Sequence, residues 1–522
     1  MKVALSACGV AVCEDSREHA KDFAIMKEKI AASGGLPLLS LPSGHQCQEL
    51  LHDFVWSSKI ASLVVAGAGG RSSLLAIAEA AESAGLPRFA VQSVPLSVYQ
   101  RMEDGTMGET WALAVAAHAK KAAAARFASR AKKRLSPDAR VKRREFIFSL
   151  PRLLEEPLED PVMVADRCSP FHRTCRFCSD ACLYSAIAHE GPVAQIDSAN
   201  CIHCGACSAA CPTGALQSPV FSDDEYRALL HEFGAWSARF ENPLLVFTCD
   251  TGISQLEDES VSGKGLQEGM VVVRAPSAAA VGWSHYMWAA AANIPVLSLC
   301  PASQCAAHHE VAQAEEAARA ALESLQGSFR TLVGHITLQS SDSISDICAE
   351  SARRAVRPLG MDATPSGPKH DAMLSIPLAI LSSSRVQSSS LNSFDVIVND
   401  NCTLCGTCSI VCPVGAFKLK SEGASLELRL NVSRCTGCGI CVKECPEDAM
   451  AISKTFARAW LDSASSFVKA RGTEEHCRRC GREIGSNLGL KKLHDQLARQ
   501  GPPALAESVY LCQDCKRTSA LA

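Results

Sequence analysis

The sequence has almost no net charge. A formal −3 over 522 residues argues against a general affinity for nucleic acid or an anionic membrane surface, so any docking charge must be local. It also lacks a long apolar run. No stretch approaches the roughly eighteen uninterrupted apolar residues of a membrane helix, because charges, histidines or prolines interrupt every candidate, and membrane insertion is not expected. A leader is not expected either. Residues 1–13 are apolar but hold a single lysine with Cys8 and Cys13, and run at once into Glu14, Asp15, Arg17 and Glu18, which does not read as a signal peptide. A cytoplasmic protein is the expectation. Aromatics are sparse at 5%, while 47% hydrophobic and 20% charged residues fit a soluble globular chain too long for one core. No nucleophile–base or hydrolase-metal signature stands out, which points to a carrier or accessory subunit rather than a stand-alone catalyst.

What the sequence has in abundance is cysteine, 27 in all. Disulfides are a poor use for them in a reducing compartment, and metal or cluster ligation a better one. Three runs follow C-x2-C-x2-C-x3-C-P: Cys201, Cys204, Cys207, Cys211; Cys402, Cys405, Cys408, Cys412; and Cys435, Cys438, Cys441, Cys445. Three thiolates spaced by two residues let a tight loop wrap three corners of a [4Fe–4S] cubane, and the fourth ligates the other cluster of a pair. A fourth run, Cys168, Cys175, Cys178 and Cys182, has an enlarged first loop and Leu183 in place of the proline. The segment after Cys182 still parallels that after Cys211.

Crossed ligation then assigns four clusters: Cys168, Cys175, Cys178 with Cys211; Cys182 with Cys201, Cys204, Cys207; Cys402, Cys405, Cys408 with Cys445; and Cys412 with Cys435, Cys438, Cys441. Two further knuckles, Cys477-x2-Cys480 and Cys512-x2-Cys515, suit one tetrahedral zinc of zinc-ribbon type, with rubredoxin-like iron as the other reading. The remaining seven cysteines read as core packing. Among them, Cys249, Cys300 and Cys305 could meet at one sheet edge, near His308 or His309. The glycines of residues 67–72 have the wrong spacing for a dinucleotide fingerprint.

Apolar runs at 3–7, 36–41, 62–66 and 89–94 alternate with helical patterns at 17–32 and 73–84, and a second alternation has strands at 244–248, 270–274 and 295–299 with helices at 278–292 and 304–325. The expected fold class is α/β plus α+β: two small parallel-sheet α/β domains, two ferredoxin-like dicluster modules and a C-terminal zinc ribbon. The expected boundaries are 1–130 (α/β domain), 131–160 (basic helix and linker), 161–220 (first dicluster module), 221–358 (second α/β domain), 359–393 (linker), 394–454 (second dicluster module), and 455–522 (helix over 455–470, then the ribbon). Two α/β blocks interleaved with two cysteine blocks suggest an internal duplication.

The cysteine blocks resemble the ferredoxin family. The start, with Ala7-Cys8-Gly9 and residues 63–66, is similar to the amino-terminal region of the heterodisulfide reductase A subunit. Residues 246–249 and 297–300 resemble the small iron–sulfur (delta) subunit of the associated hydrogenases, although Ala275-Pro276 stands where that family has a further cysteine. The whole combination resembles the multicluster 4Fe–4S proteins found beside bacterial formate dehydrogenases. The resemblance implies redox partner proteins, among them a formate dehydrogenase or its chaperone. It leaves two roles, a one-electron relay or a maturation factor for a molybdenum or tungsten enzyme.

Overall fold

The structure is a computed structural model describing residues 8–13, 20–32, 36–41, 47–58, 60–67, 77, 79–81, 83, 84, 86, 90–99, 107–125, 160–168, 175–190, 193–301, 333–337, 342–354, 394–454 and 466–520. The chain divides into two compact units. The first comprises Met1–Val164, Cys178–Ala188 and Ile196–Lys369; the second comprises Ala165–Phe177, His189–Gln195 and His370–Ala522.

The first unit opens with β1 (Cys8–Cys13), α1 (Ala20–Ala32), β2 (Leu38–Leu41), α2 (Cys47–Ser58), β3 (Ser62–Gly67), β4 (Val91–Pro95) and α3 (Met107–Ala123). Its four strands form an all-parallel sheet in the order β2-β1-β3-β4. Strands β1 and β3 are buried along their whole length, as parallel strands covered on both faces must be. After α3 come β5 (Val162–Met163), α4 (Phe177–Asp180), the short strands β6 (Ile187–Ala188) and β7 (Gln195–Ile196), α5 (Ala206–Ala210) and β8 (Leu216–Gln217). The chain then runs through α6 (Asp223–Ser237), β9 (Leu244–Thr248), α7 (Asp250–Val261), β10 (Met270–Arg274), α8 (Trp283–Ala291), β11 (Val296–Cys300), β12 (Val333–Thr337) and α9 (Ile344–Arg354). The second sheet, β10-β9-β11-β12, is again all parallel. Both sheets therefore follow the strand order 2-1-3-4.

The two α/β blocks, expected as separate domains, lie in one compact unit, and α3 explains why. Fourteen of its seventeen residues are buried, so it is covered on every face, with α1 on one side and α6 on another. Alanines at 112, 114, 116, 117 and 119 allow close approach. An added Cβ at Gly108 would lie 2.7 Å from the Ile25 Cβ. Lys121, on the same helix, donates to Gln92 Oε1 (3.0 Å) and the Val220 carbonyl (3.1 Å) and stands 3.7 Å from Glu225. Glu225 in turn closes a capping box with Ser222 at the start of α6. Burial lowers the Lys121 pKa and raises that of Glu225, and each opposes the shift in the other. Removing either partner would leave a buried charge uncompensated.

The second unit contains β13 (Phe394–Val398), α10 (Thr407–Val411), β14 (Phe417–Glu422), β15 (Ser425–Leu430), α11 (Ile440–Lys443), β16 (Met450–Lys454), β17 (Phe467–His476), β18 (Glu483–Ser486), α12 (Asn487–Gln500), α13 (Pro503–Glu507) and α14 (Gln513–Ala520). Here the structure corrects two expectations. The helix expected to reach residue 470 is strand from Phe467 onward, because the edge of the β14–β15 hairpin takes β17 as an antiparallel partner. Consequently the ribbon is not a detached tail. The sheet β14-β15-β17-β18 runs from the cluster module into the knuckles, Ser486 donates to the Thr403 carbonyl, and Lys492 pairs with Glu447. The strand expected at 3–7 lies outside the described residues, which begin with β1 at Cys8. The basic stretch around 132–144, the helix at 304–325, the linker at 359–393, and Cys305 with His308 and His309 fall outside the described residues.

Candidate iron–sulfur and metal centres

One turn is repeated four times. After the last cysteine of each run, the backbone N–H three residues on donates to that cysteine's carbonyl: Ser185 to Cys182 (3.2 Å), Gly214 to Cys211 (3.3 Å), Gly415 to Cys412 (3.1 Å) and Asp448 to Cys445 (3.3 Å). All four donor residues have positive φ, from 48° to 64°. The next residue, always alanine, then points its N–H at the cysteine sulfur: Ala186, Ala215, Ala416 and Ala449, at 3.4, 3.3, 3.2 and 3.4 Å. Such donors favour a negatively charged sulfur. The Cys182 turn thus has the geometry of the three proline-containing ones.

The loops before these turns are less uniform. In three runs the residue after the second cysteine is a glycine at φ 76–82° (Gly205, Gly406, Gly439) that caps a short helix; this left-handed position is open mainly to glycine. Behind Cys175 the equivalent residue is Arg176, which precedes α4 and does not have a positive φ. The first loop of the Cys168 run is therefore built differently, as its enlarged spacing anticipated.

Within the second unit the cysteines of the two expected sets lie close to one another. Burial, reinforced by the neighbouring Cys402, Cys405 and Cys445 sulfurs, pushes the Cys408 thiol up to about 12. Burial with Cys438 and Cys412 does the same to Cys435, and Cys441, raised chiefly by burial, feels Cys435, Cys438 and Cys412 and also Cys408 of the neighbouring set. A cavity of about 320 Å³ is lined by Cys412, Cys435, Cys438 and Cys441, with Pro413, Val414, Phe417 and Ile452 among its apolar walls. In the first unit a second cavity, of about 390 Å³, is lined by Cys182, Cys201, Cys204 and Cys207, with Pro161, Tyr184, Ile187 and Ile196. Cys207, raised chiefly by burial, feels Cys204, Cys201, Cys178 and Cys182. Cys178 and Cys211 belong to the first unit, whereas Cys168 and Cys175 lie in Ala165–Phe177 of the second; this is the one quartet not brought together within a single unit.

The sequence reading missed the pair Asp160 and His203, which no spacing rule connects. Asp160 Oδ1 stands 3.5 Å from His203 Nδ1, and His203 lies 3.9 Å from the Cys201 sulfur. Also missed was Ser277, whose hydroxyl donates to the Cys204 carbonyl at 2.7 Å and ties the cluster loop to the second sheet.

The four sulfurs of Cys477, Cys480, Cys512 and Cys515 all lie within 4.8 Å of one another, with Cys480 and Cys512 at 3.6 Å. A tetrahedron with metal–sulfur bonds of about 2.3 Å places its corners roughly 3.8 Å apart. The set thus has the dimensions of a single-ion site. Backbone N–H groups, led by that of Cys512, hold the Cys477 thiol down to about 6, so this cysteine is readily the thiolate a metal requires.

Among the described residues no helix is long and apolar enough to cross a membrane. Comparison with known families matches residues 401–450 to a 4Fe–4S dicluster domain and residues 194–217 to a 4Fe–4S binding domain. No curated protein matches the chain. The first match spans both cysteine runs of the second block and the other spans the Cys201–Cys211 run of the first, without Cys168–Cys182; the chain accordingly carries two ferredoxin-type, iron–sulfur-binding domains.

Proposed function

We propose that the chain is a cytoplasmic one-electron relay carrying four [4Fe–4S] clusters and one zinc ion. The observation that carries this reading is the fourfold turn, which presents Cys182, Cys211, Cys412 and Cys445 in the same way. Cys182 and Cys211 would exchange between the two clusters of the first module, and Cys412 and Cys445 between those of the second. Cys168, Cys175 and Cys178 complete the first set, joined by Cys211. A cubane, when bound, takes up and releases one electron at a time. The chain's part is to hold it by four thiolates, shield it with the apolar walls of the two cavities, and direct alanine N–H groups at the sulfurs, favouring the more negative reduced state. Cys477, Cys480, Cys512 and Cys515 form a closed set with no place for substrate, so zinc there is structural. The partners are redox proteins, with a formate dehydrogenase or its chaperone the first to try.

Anaerobic protein should hold about sixteen irons, four for each of four cubanes, and one zinc. Cys412→Ser and Cys445→Ser should each remove one set of paramagnetic signals, and not the same set. Iron stopping near half that number, or both variants losing the same signal, defeats the assignment. A redox titration coupled to partner capture separates a relay from a maturation factor, since only the relay requires its partner's potential to fall within the span of its clusters.

A further inference from the structure

Two cysteines outside the cluster motifs occupy one place in the fold. Strands β9 and β11 are neighbours, and their register pairs Leu245 with Val296 and ends at Thr248 with Leu299; carried one residue further, the same register would set Cys249 beside Cys300. Cys300 is the last residue of β11. Cys249 follows β9 with its backbone still extended (φ −84°, ψ 178°) and opens α7. Register partners share a sheet face, so both side chains leave on the face opposite Thr248 and Leu299. Adjacent strands are about 4.8 Å apart, inside the Cα separation of roughly 4.4–6.8 Å that a disulfide spans.

The position favours chemistry over simple packing. In a 2-1-3-4 sheet the crevice lies at the carboxyl ends of strands 1 and 3, and these are β9 and β11. Cys249 is half-buried and reachable, while Cys300 is buried. Cys300 packs with Ala206, Ala278 and Ala279, and Cys204 of the first cluster module lies against the same group. The first sheet supplies an internal contrast: at the ends of its corresponding strands, Cys13 is paired with Gly67.

We propose that Cys249 and Cys300 form a reversible dithiol–disulfide couple that exchanges electrons with the cluster held beside Cys204. Reduction breaks the one S–S bond, consumes two electrons and two protons, and leaves two thiols; oxidation is the reverse. The electrons come singly from a reduced iron–sulfur centre of the first module, and the protons from water at Cys249. Only the electron source rests on the relay reading.

The test uses the full chain, kept anaerobic and poised in mixtures of reduced and oxidised dithiothreitol, then acid-quenched, alkylated and mapped by peptide mass. The Cys249 and Cys300 peptides should pass together from alkylated to linked at a single two-electron midpoint. In a reductive titration the oxidised wild type should take up about two more electrons per chain than Cys249→Ser, with iron content equal in the two proteins. Cys300→Ala, which replaces the buried partner, should reproduce the loss of two electrons. Peptides that never link, that link to a third cysteine, or that titrate apart overturn the couple. So does equal electron uptake, and so does loss of iron in Cys249→Ser, which would make the cysteine a cluster ligand. A couple that titrates in protein whose first module holds no iron would leave the couple standing and remove the relay.

Discussion

The two ferredoxin-type modules use the same turn on different supports. The first is set into an α/β unit that has a large core of its own: β1, β3, β9 and β11 are fully buried. Its Cys204 loop rests on that core, and an added Cβ at Gly205 would sit 2.8 Å from the Ala280 Cβ. The second has a smaller core, of residues such as Leu404, Phe417, Leu426 and Val432, into which its cysteines are set. Cys408 and Cys441 belong to its apolar cluster, and Cys402, Cys412, Cys435 and Cys445 pack against it beside Leu428, Leu430 and Val396. A scaffold with a large core can keep its shape without metal, whereas a small core with six thiols in and against it depends more on what the thiols bind.

Metal removal should expose this difference most strongly. Structural zinc alone is worth on the order of 10 kcal/mol in small domains. Chelation of the full chain, followed by hydrogen exchange, should strip protection from β14, β15, β17 and the knuckles while β1, β3, β9 and β11 keep theirs. Equal loss in the two units would break the comparison.

The second module's loops should also tolerate less substitution where they press closely on a neighbouring side chain. Gly437 has φ 72°, and an added Cβ would lie 2.7 Å from three carbons of the Phe394 ring. Gly439 has φ 76° with nothing within 4 Å. The left-handed backbone costs a non-glycine residue about 1–2 kcal/mol, and overpacking adds about 1–3 kcal/mol. Gly437→Ala should therefore destabilise the module clearly more than Gly439→Ala, measured as the difference in thermal midpoint and in cluster loss on heating. Equal effects would mean that Phe394 yields freely.

The first unit has a weakness of its own, and it lies in acid. His118 on α3 is buried against the Ala114 carbonyl, 2.8 Å from Nδ1, and burial lowers its pKa to about 4, with Lys121 adding to the shift. The unfolded chain would take up that proton near pH 6.5. Between about 6.5 and 4 the unfolded state thus binds more protons than the folded one, and stability is complete above this window and falls as pH drops through it. At 1.36 kcal/mol per unit the limit is roughly 3 kcal/mol. His118→Gln should flatten this part of the pH profile of first-unit unfolding, and an unchanged slope would place the acid sensitivity elsewhere.

Much of this arrangement was legible from residue order, and the exceptions share a cause. Strands β9 and β10 fall where their apolar runs end, at Leu244–Thr248 and Met270–Arg274, because a buried parallel strand announces itself locally. Strand β17 does not. Residues 455–470 carry a helical pattern, and only the antiparallel edge of β15, some forty residues earlier in the chain, makes Phe467–His476 extended. The cysteine runs were legible because their chemistry imposes fixed spacing. Asp160 beside His203 and Ser277 beside Cys204 were not, since each joins segments that only the fold brings together. The fusion of the two α/β blocks escaped notice for the same reason: alanine-rich α3 reads as one helix, and nothing local says that it is covered on both sides.

The smallest expected effect bears most directly on whether the irregular Cys168 run belongs with the others. Its turn carries Leu183 where Pro212, Pro413 and Pro446 stand, at the second position of a four-residue turn closed by the Ser185 N–H on the Cys182 carbonyl at 3.2 Å. Proline is favoured there because its ring presets φ near the value the turn requires. Leu183 is 47% exposed, so replacing it removes little packing. If the Cys182 turn matches its three counterparts, Leu183→Pro should leave iron content unchanged and stabilise the first unit by about 0.4–1 kcal/mol, mainly by restricting the unfolded chain. The gain would appear as a small rise in thermal midpoint, and Leu183→Ala, which lacks the fixed φ, should not reproduce it. A fall in midpoint or loss of iron in the proline variant would show that the backbone at 183 departs from the shared turn, and would leave the second module as the only one built on a matched pair of turns.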